Sequence, residues 1–168
     1  VVDVIREEAE KDYQLASGIT EDVETSDTVS RLTRARLPWL LIGLIGGIAA
    51  ARIIGIFEGE VALNPMLAFF MPLIAAMGGN VGIQSSAIIV QSLASGNFDF
   101  NSTSSKLFKE LSVALINASI LAIILFFYNY MFSDNLHLTY SVSLSLFSIV
   151  MFASFFGTII PLTLNRFN

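Results

Sequence analysis

Four long apolar stretches, each about as long as a membrane-spanning helix, most constrain the fold of this chain. A helix needs about 20 mainly apolar residues to cross a hydrocarbon layer about 30 Å thick, because it rises about 1.5 Å per residue. The stretches cover approximately residues 38–57, 65–93, 107–132 and 138–164, and short polar segments separate them. The sequence therefore predicts an all-α fold, a polytopic helical bundle with four transmembrane helices in a lipid bilayer.

The first 37 residues differ in composition from the rest of the chain. Most of the 14 acidic residues precede residue 31, so the net charge of -5 describes mainly this leader. We expect a cytoplasmic region over residues 1–37 and a transmembrane domain over residues 38–168. Two interpretations of the leader stay open: a solvated linker, and a helix that couples a regulatory domain to the membrane region. The chain begins with valine and shows no signal peptide, so we expect it to be a segment of a longer protein.

Basic residues near the span ends predict the orientation, because cytoplasmic loops carry an excess of Lys and Arg. Three clusters fall on the same side of the predicted membrane: before the first span, after the second and after the fourth (Arg31, Arg34 and Arg36; Lys106 and Lys109; Arg166). The two remaining loops contain neither Lys nor Arg. We therefore expect a multi-pass protein of the cell (inner) membrane with a cytoplasmic N-terminus.

The second span contains residues that are unusual in a membrane helix. Pro72 and the glycines at 78, 79 and 82 predict an interruption, which survives in lipid only where protein or a water-filled cavity satisfies the backbone. Asn80, Gln84 and Gln91 are spaced to share one helical face. Two interpretations remain: a polar path through the membrane, and close helix packing with amides that hydrogen-bond between helices.

Glu110 and Asn117 place a carboxylate and an amide on one face near the cytoplasmic end of the third span. Ionisable residues inside a span usually mark an ion route or an internal partner, and pairing of Glu110 with Lys106 or Lys109 is the alternative. Carboxylate, amide and backbone oxygens suit a hard cation such as Mg²⁺, which retains its water ligands tightly. The chain contains no cysteine and no motif of an enzyme, so we expect neither catalysis nor a thiolate site. The acidic leader also argues against nucleic-acid binding.

The stretch FFMPLIAAMGGNVGIQSSAIIVQSLASGNFD, residues 69–99, resembles the second transmembrane helix of the MgtE family of magnesium channels and transporters. The similarity extends to RARLPWLLIGLIGG before and in the first span, LFKELSVALINA in the third and SFFGTIIPLTLNRF at the end of the fourth. It covers nearly the whole chain. The proline followed by Gly-Gly-Asn-x-Gly-x-Gln is its most specific part.

The resemblance implies a homodimer that encloses a Mg²⁺-selective pore, gated by cytoplasmic domains that sense Mg²⁺. Mg²⁺ would then be both the transported ion and a regulator. Gly78, Gly79 and Asn80 would lie at the central ion site, and Glu110 matches the family's acidic residue near the cytoplasmic end of the path. Gln84, Gln91 and Asn117 are further candidates for the pore lining. The opening residues resemble the family's linking helix, with Glu7, Glu8 and Asp12 as candidate gating residues.

The family pattern also includes parts that this chain does not contain. Five spans per subunit are expected, and the fifth, which would follow Asn168, carries an aspartate that holds the ion. The resemblance also implies cytoplasmic regulatory domains as partners, and these too lie outside the sequence. Besides a channel, two other functions stay open: an exchanger that couples Mg²⁺ to Na⁺ or H⁺, and a membrane anchor or assembly module that transports nothing.

Overall fold

In the computed structural model, residues 14, 18, 19, 23–94 and 103–167 are described, and their regular structure consists of helices without any strand. There are four long helices and one short one in this part of the chain. In chain order they are α1 (Val29–Ile56), α2 (Glu58–Leu63), α3 (Met66–Ala94), α4 (Thr103–Phe132) and α5 (Leu136–Phe167). The four long helices are long and apolar enough to cross a membrane. The predicted all-α fold with four membrane-length helices is confirmed.

The helix bounds differ from the predicted spans mainly at the first span. α1 begins at Val29, upstream of the predicted start at Pro38, so the basic residues from Arg31 to Arg36 belong to the same helix as the apolar stretch. Arg, Leu and Ala favour helix in this segment, and Pro38 lies inside the helix without ending it. The predicted connection after the first span contains the short helix α2, whose first turn carries Glu58 and Glu60 next to the positive end of the helix dipole.

The chain divides into two compact units, residues 1–60 and residues 61–168. In the first unit, hydrogen bonds organise the approach to α1. The Gln14 side chain donates to the Val23 carbonyl oxygen at 2.8 Å and accepts the Val23 amide at 3.2 Å. Asp27 accepts the Glu24 amide at 2.8 Å and forms an ion pair with Arg31 at 2.8 Å. These contacts turn the chain into the first residues of α1.

In the second unit, α5 packs against both α3 and α4. Its buried face supplies most of the core, and α4 adds Ala118 and Leu125 (the α5 members are Leu138, Val142, Leu146 and Val150). Residues of α3 from Leu67 to Val81 pack against this cluster. In lipid, such packing is stabilised by van der Waals contacts between well-fitted helices, since the surrounding chains are equally apolar. α5 is therefore the helix that positions the other two.

Polar residues define the start of α5. The side-chain oxygen of Asn135 accepts a hydrogen bond from the backbone amide of Leu138 at 3.1 Å. The backbone amide of Asn135 donates to the Ser133 hydroxyl oxygen at 3.2 Å. Asparagine is a favoured residue at this position because its side chain satisfies an amide that has no partner within the helix. The short connection after α4 thus reverses the chain and begins the next span.

α3 is continuous from Met66 to Ala94, and Pro72 lies inside it. The predicted interruption of the second span is therefore wrong. Pro72 lacks one amide donor and lies in the second turn, while glycine residues remain compatible with helical backbone angles. Gly78 and Gly82 instead lie where α3 approaches α5: a Cβ on Gly78 would meet Ile149, and one on Gly82 would lie 3.9 Å from the Ala153 carbonyl oxygen.

Candidate functional site

A polar groove lies between α3 and α4. It consists of two adjoining cavities of about 490 and 410 Å³, and Val81, Gln84 and Asn117 line both of them. α5 contributes Val150 and Ser154 to the lining of the second cavity. The helix packing explains the groove: α3 and α4 both contact α5, and a gap between them remains open along one side. We call these two cavities the α3–α4 groove.

Three of the predicted amides lie in the α3–α4 groove. Asn80 and Gln84 line the first cavity from α3, and Asn117 lines it from α4. All three side chains are exposed in the single chain. Because Asn80 and Gln84 are one helical turn apart, their amides face the same cavity. The structure thus brings together amides from two helices that are far apart in sequence.

Glu110 lies in the second cavity, where it joins three helices. Its Oε1 accepts a hydrogen bond from the Ser85 hydroxyl of α3 at 2.8 Å and a longer one from the Ser154 hydroxyl of α5 at 3.5 Å. The two hydroxyl oxygens are 3.1 Å apart. Lys106 and Lys109 line the same cavity. The carboxylate is therefore held by neighbouring helices at one end of the groove.

The two glycines of the predicted ion site have different surroundings. A Cβ on Gly78 would lie 2.8 Å from Cγ1 of Ile149, so Gly78 faces α5. A Cβ on Gly79 would have no atom of the described residues within 4 Å. Both residues lie inside the continuous helix α3. In such a helix each carbonyl oxygen already accepts the amide four residues later, which leaves only part of its acceptor capacity for an ion. The side chains of the groove offer acceptors that no helix bond uses.

The remaining predicted residues lie elsewhere. Gln91 is exposed on α3 and is not among the residues that line either cavity of the groove. Glu7, Glu8 and Asp12, the candidate gating residues, lie outside the described residues. Their predicted role stays a prediction.

Two further residues of the site, Ser85 and Ser154, are not predicted from the sequence. Ser85 directly follows Gln84 in the second-span motif, and Ser154 lies in a fourth span that contains many serines. Both are almost completely buried, with 3% and 1% of their surface exposed. Ser154 could have been found from its spacing: it lies four residues after Val150, so both are on the face of α5 that is buried in the core.

The groove has room for a hydrated cation. Among residues 14, 18, 19, 23–94 and 103–167 no group of three or more His, Cys, Asp or Glu side chains could hold a metal ion. Mg²⁺ with six water ligands needs about 180 Å³, because each water occupies about 30 Å³. Both cavities exceed that volume, at about 490 and 410 Å³. Amide oxygens and one carboxylate can accept hydrogen bonds from such bound water.

Residues 71–168 match the family model of MgtE, which is described as a divalent cation transporter. The chain is also similar over 99% of its length to three proteins named magnesium transporter MgtE. The identity is 29% to the one from Bacillus subtilis, 26% to that from Enterococcus faecalis and 32% to that from Thermus thermophilus. The chain spans 36–37% of the length of these relatives. On the match of the family model, this chain belongs to the MgtE family of divalent cation transporters.

Proposed function

We propose that this chain forms part of a homodimeric pore that transports Mg²⁺ across the cell (inner) membrane. The observation that carries the proposal is the α3–α4 groove, in which amides at 80, 84 and 117 lead to the carboxylate of Glu110. The names of the relatives, each a magnesium transporter, support the choice of ion. Mg²⁺ is the substrate of this function, and it crosses the groove as a hydrated ion.

The charge of the groove is compatible with this role. The Glu110 carboxylate is the acidic group of the second cavity, and Lys106 and Lys109 line the same cavity from the first turns of α4. Lysine side chains near a helix end extend their ammonium groups toward the interface, while a carboxylate held by hydroxyls stays at the wall. A hydrated cation then meets neutral amides first and a carboxylate at the end of the groove.

Exposed amides support a second copy of the chain as the partner. Asn80, Gln84 and Asn117 lie within membrane-length helices and are exposed in the single chain. Polar side chains that face hydrocarbon are costly, so they are expected to face protein or water. A homodimer that places two grooves opposite each other covers these amides and encloses an aqueous path. The N-terminus of each subunit is cytoplasmic in this arrangement.

We further propose that the path is gated from the cytoplasm. The acidic leader, with Glu7, Glu8 and Asp12, supplies carboxylates that can bind Mg²⁺ when its concentration in the cytoplasm is high. Cytoplasmic regulatory domains and a fifth helix are the partners that the family resemblance implies. Mg²⁺ would act there as a regulator as well as the transported ion.

The test is Mg²⁺ uptake into liposomes by the natural full-length polypeptide, with Asn80→Ala and Glu110→Ala as variants. We expect each variant to lower uptake about tenfold or more. A hydrogen bond to a charged group is worth about 1.5–3 kcal/mol, and 1.4 kcal/mol corresponds to a factor of ten. Asn64→Ala is the matched control, because Asn64 is an exposed amide just before α3 and outside the groove.

Cross-linking and size-exclusion chromatography establish whether each variant remains a dimer. Loss of uptake in an intact dimer supports an ion path through the groove. Unchanged uptake in both variants contradicts it and favours a packing role for the amides. Uptake that reverses with a Na⁺ or H⁺ gradient would identify an exchanger instead of a channel.

A further inference from the structure

Two buried hydroxyls from different helices converge on the carboxylate of Glu110. Ser85 lies on α3 and Ser154 on α5, and their surfaces are 3% and 1% exposed. The Ser85 hydroxyl is 2.8 Å from Glu110 Oε1, the Ser154 hydroxyl is 3.5 Å from the same oxygen, and the hydroxyls are 3.1 Å from each other. The three residues form a hydrogen-bonded cluster that we call the Ser–Glu–Ser cluster.

These serines differ from two serines of the neighbouring helix α4 in the acceptor of their hydrogen bonds. Ser112 and Ser119 donate to carbonyl oxygens four residues earlier in α4, at 2.8 and 2.7 Å. That local bond is the usual one for a serine within a helix. The Ser85 hydroxyl instead donates across the helix interface to a carboxylate, and a bond to a charged acceptor is stronger than one to a carbonyl.

Close approach of α3 and α5 makes the cluster possible. A Cβ on Gly157 would lie 2.6 Å from the Gly82 carbonyl oxygen and 3.1 Å from the Ser85 Cβ. The absence of a side chain at Gly157 therefore lets the two backbones come together, and Ser85 and Ser154 meet beside this contact. The two serines of the cluster are therefore held in place by the helix crossing, and the Glu110 side chain reaches them from α4.

Hydrogen-bond capacity indicates what the cluster does. Each hydroxyl has one proton, so when Ser85 donates to Glu110, Ser154 donates either to the Ser85 oxygen or to the carboxylate. Both bonds to the carboxylate end on Oε1. A carboxylate has two oxygens and about four acceptor positions, so capacity remains for the water shell of a cation.

We propose that Ser85 and Ser154 are positioning residues that hold the Glu110 carboxylate toward the α3–α4 groove, where it meets the hydrated divalent cation. The proposal rests on the proposed transport function and extends it to two residues that do not contact the ion. Ser85 is the principal positioning residue because its bond is the shorter one, at 2.8 Å. Ser154 orients the Ser85 hydroxyl and supports the carboxylate from α5.

The experiment is a double-mutant cycle on Mg²⁺ uptake by the full-length protein in liposomes. It compares the wild type, Ser85→Ala, Glu110→Gln and the double variant, each over a range of Mg²⁺ concentrations. We expect Ser85→Ala to raise the half-saturating Mg²⁺ concentration about tenfold, on the strength of a hydrogen bond to a charged group. In the Glu110→Gln background, Ser85→Ala should change uptake by less than about twofold, because residues that act through one group are not additive.

Two further variants separate positioning from folding. Ser119→Ala removes a serine hydroxyl that donates to the Leu115 carbonyl oxygen of its own helix, and it should leave the half-saturating concentration unchanged. Glu110→Asp keeps the carboxylate but shortens the side chain by one methylene, so it should lose the hydroxyl bonds and resemble Ser85→Ala. Glu110→Asp tests the same point if Ser85→Ala does not fold.

Each outcome decides between the alternatives. Two results would overturn the positioning role and leave the proposed function intact, provided that the wild type takes up Mg²⁺. In the first, Ser85→Ala has the same half-saturating Mg²⁺ concentration as the wild type. In the second, Ser85→Ala lowers uptake equally in the wild-type and the Glu110→Gln backgrounds. Absence of Mg²⁺ uptake by the wild type overturns the proposed function and the positioning role together. If Ser85→Ala weakens uptake in the wild-type background but not in the Glu110→Gln background, the result supports the proposed function and the positioning role.

Discussion

The glycines of α1 and three of those in α3 and α5 (Gly78, Gly82 and Gly157) occupy similar apolar sequences but have different surroundings. Among the described residues, no atom lies within 4 Å of a Cβ built on Gly43, Gly46 or Gly47 of α1. In the three-helix unit of residues 61–168, by contrast, Cβ atoms on Gly78 and Gly157 would lie 2.8 and 2.6 Å from atoms of a neighbouring helix. The same residue type thus has open space beside it in α1 and at Gly79, whereas at Gly78 and Gly157 it makes a close packing contact.

A glycine in a membrane helix therefore has no single structural role. Small residues allow helices to approach closely where a neighbour is present. Where no neighbour is present, glycine only weakens the helix by about 0.5–1 kcal/mol relative to alanine. Substitution of glycine by alanine therefore distinguishes the two situations, and three such substitutions test the comparison in order of expected effect.

The largest effect is expected for Gly157→Ala. The new Cβ would lie 2.6 Å from the Gly82 carbonyl oxygen, which belongs to the backbone and cannot rotate away. α3 and α5 must then separate, and we expect a loss of about 3 kcal/mol in the free energy of unfolding, at the upper end of the range for overpacking. Thermal unfolding of the detergent-solubilised protein measures it. Gly82→Ala is the control at the same crossing, since its Cβ would lie at an ordinary 3.9 Å from the Ala153 oxygen. Equal melting temperatures for the two variants would contradict the prediction.

A smaller effect is expected for Gly78→Ala. Its Cβ would lie 2.8 Å from Ile149 Cγ1, and isoleucine is restricted in its χ1 rotation because it is β-branched. A side chain can adjust by more than a backbone, so we expect a loss of about 1–2 kcal/mol, again measured by thermal unfolding. Gly79→Ala, next to it and with open space around it, should show no loss. If Gly79→Ala destabilises the protein as much as Gly78→Ala, the contact with α5 is not the cause.

The smallest effect is expected for Gly47→Ala in α1. No atom in the described part of the chain lies within 4 Å of the new Cβ, and alanine favours helix more than glycine does. The melting temperature should therefore stay the same or rise slightly, with a gain of less than about 1 kcal/mol. Thermal unfolding of Gly47→Ala and the wild type, each at several protein concentrations, tests this prediction. A clear decrease would show that another surface packs against Gly47 in the assembled protein.

Much of the fold could be predicted from residue patterns alone. The last three apolar stretches became helices whose bounds are within a few residues of the prediction, because length and hydrophobicity directly determine a membrane helix. The predicted start at Pro38 and the predicted interruption after Pro72 were less successful, since proline and glycine are tolerated inside membrane helices. Proline and glycine therefore predict the end of a helix less reliably in membrane proteins than in water-soluble proteins.

The candidate site could be predicted only in part. Asn80, Gln84, Asn117 and Glu110 stood out because amides and carboxylates are expensive within a span. Ser85 and Ser154 did not, because a serine hydroxyl can be satisfied by the carbonyl of its own helix and is therefore common in such segments. Gln91 shares the spacing of Asn80 and Gln84 but does not line the cavities of the groove. Helical spacing predicts which residues share a face of a helix, but it does not predict how far along that face the neighbouring helix and the groove extend.

Long apolar helices with amides and a carboxylate inside them follow from residue order alone, because hydrophobicity and helical period are local properties. Which polar groups meet depends on helix packing. α5 packs against both α3 and α4, and this arrangement brings Glu110 to 2.8 Å from the Ser85 hydroxyl. Contacts between residues distant in sequence depend on how side chains fit at helix crossings, as at Gly157, and no local pattern encodes that fit.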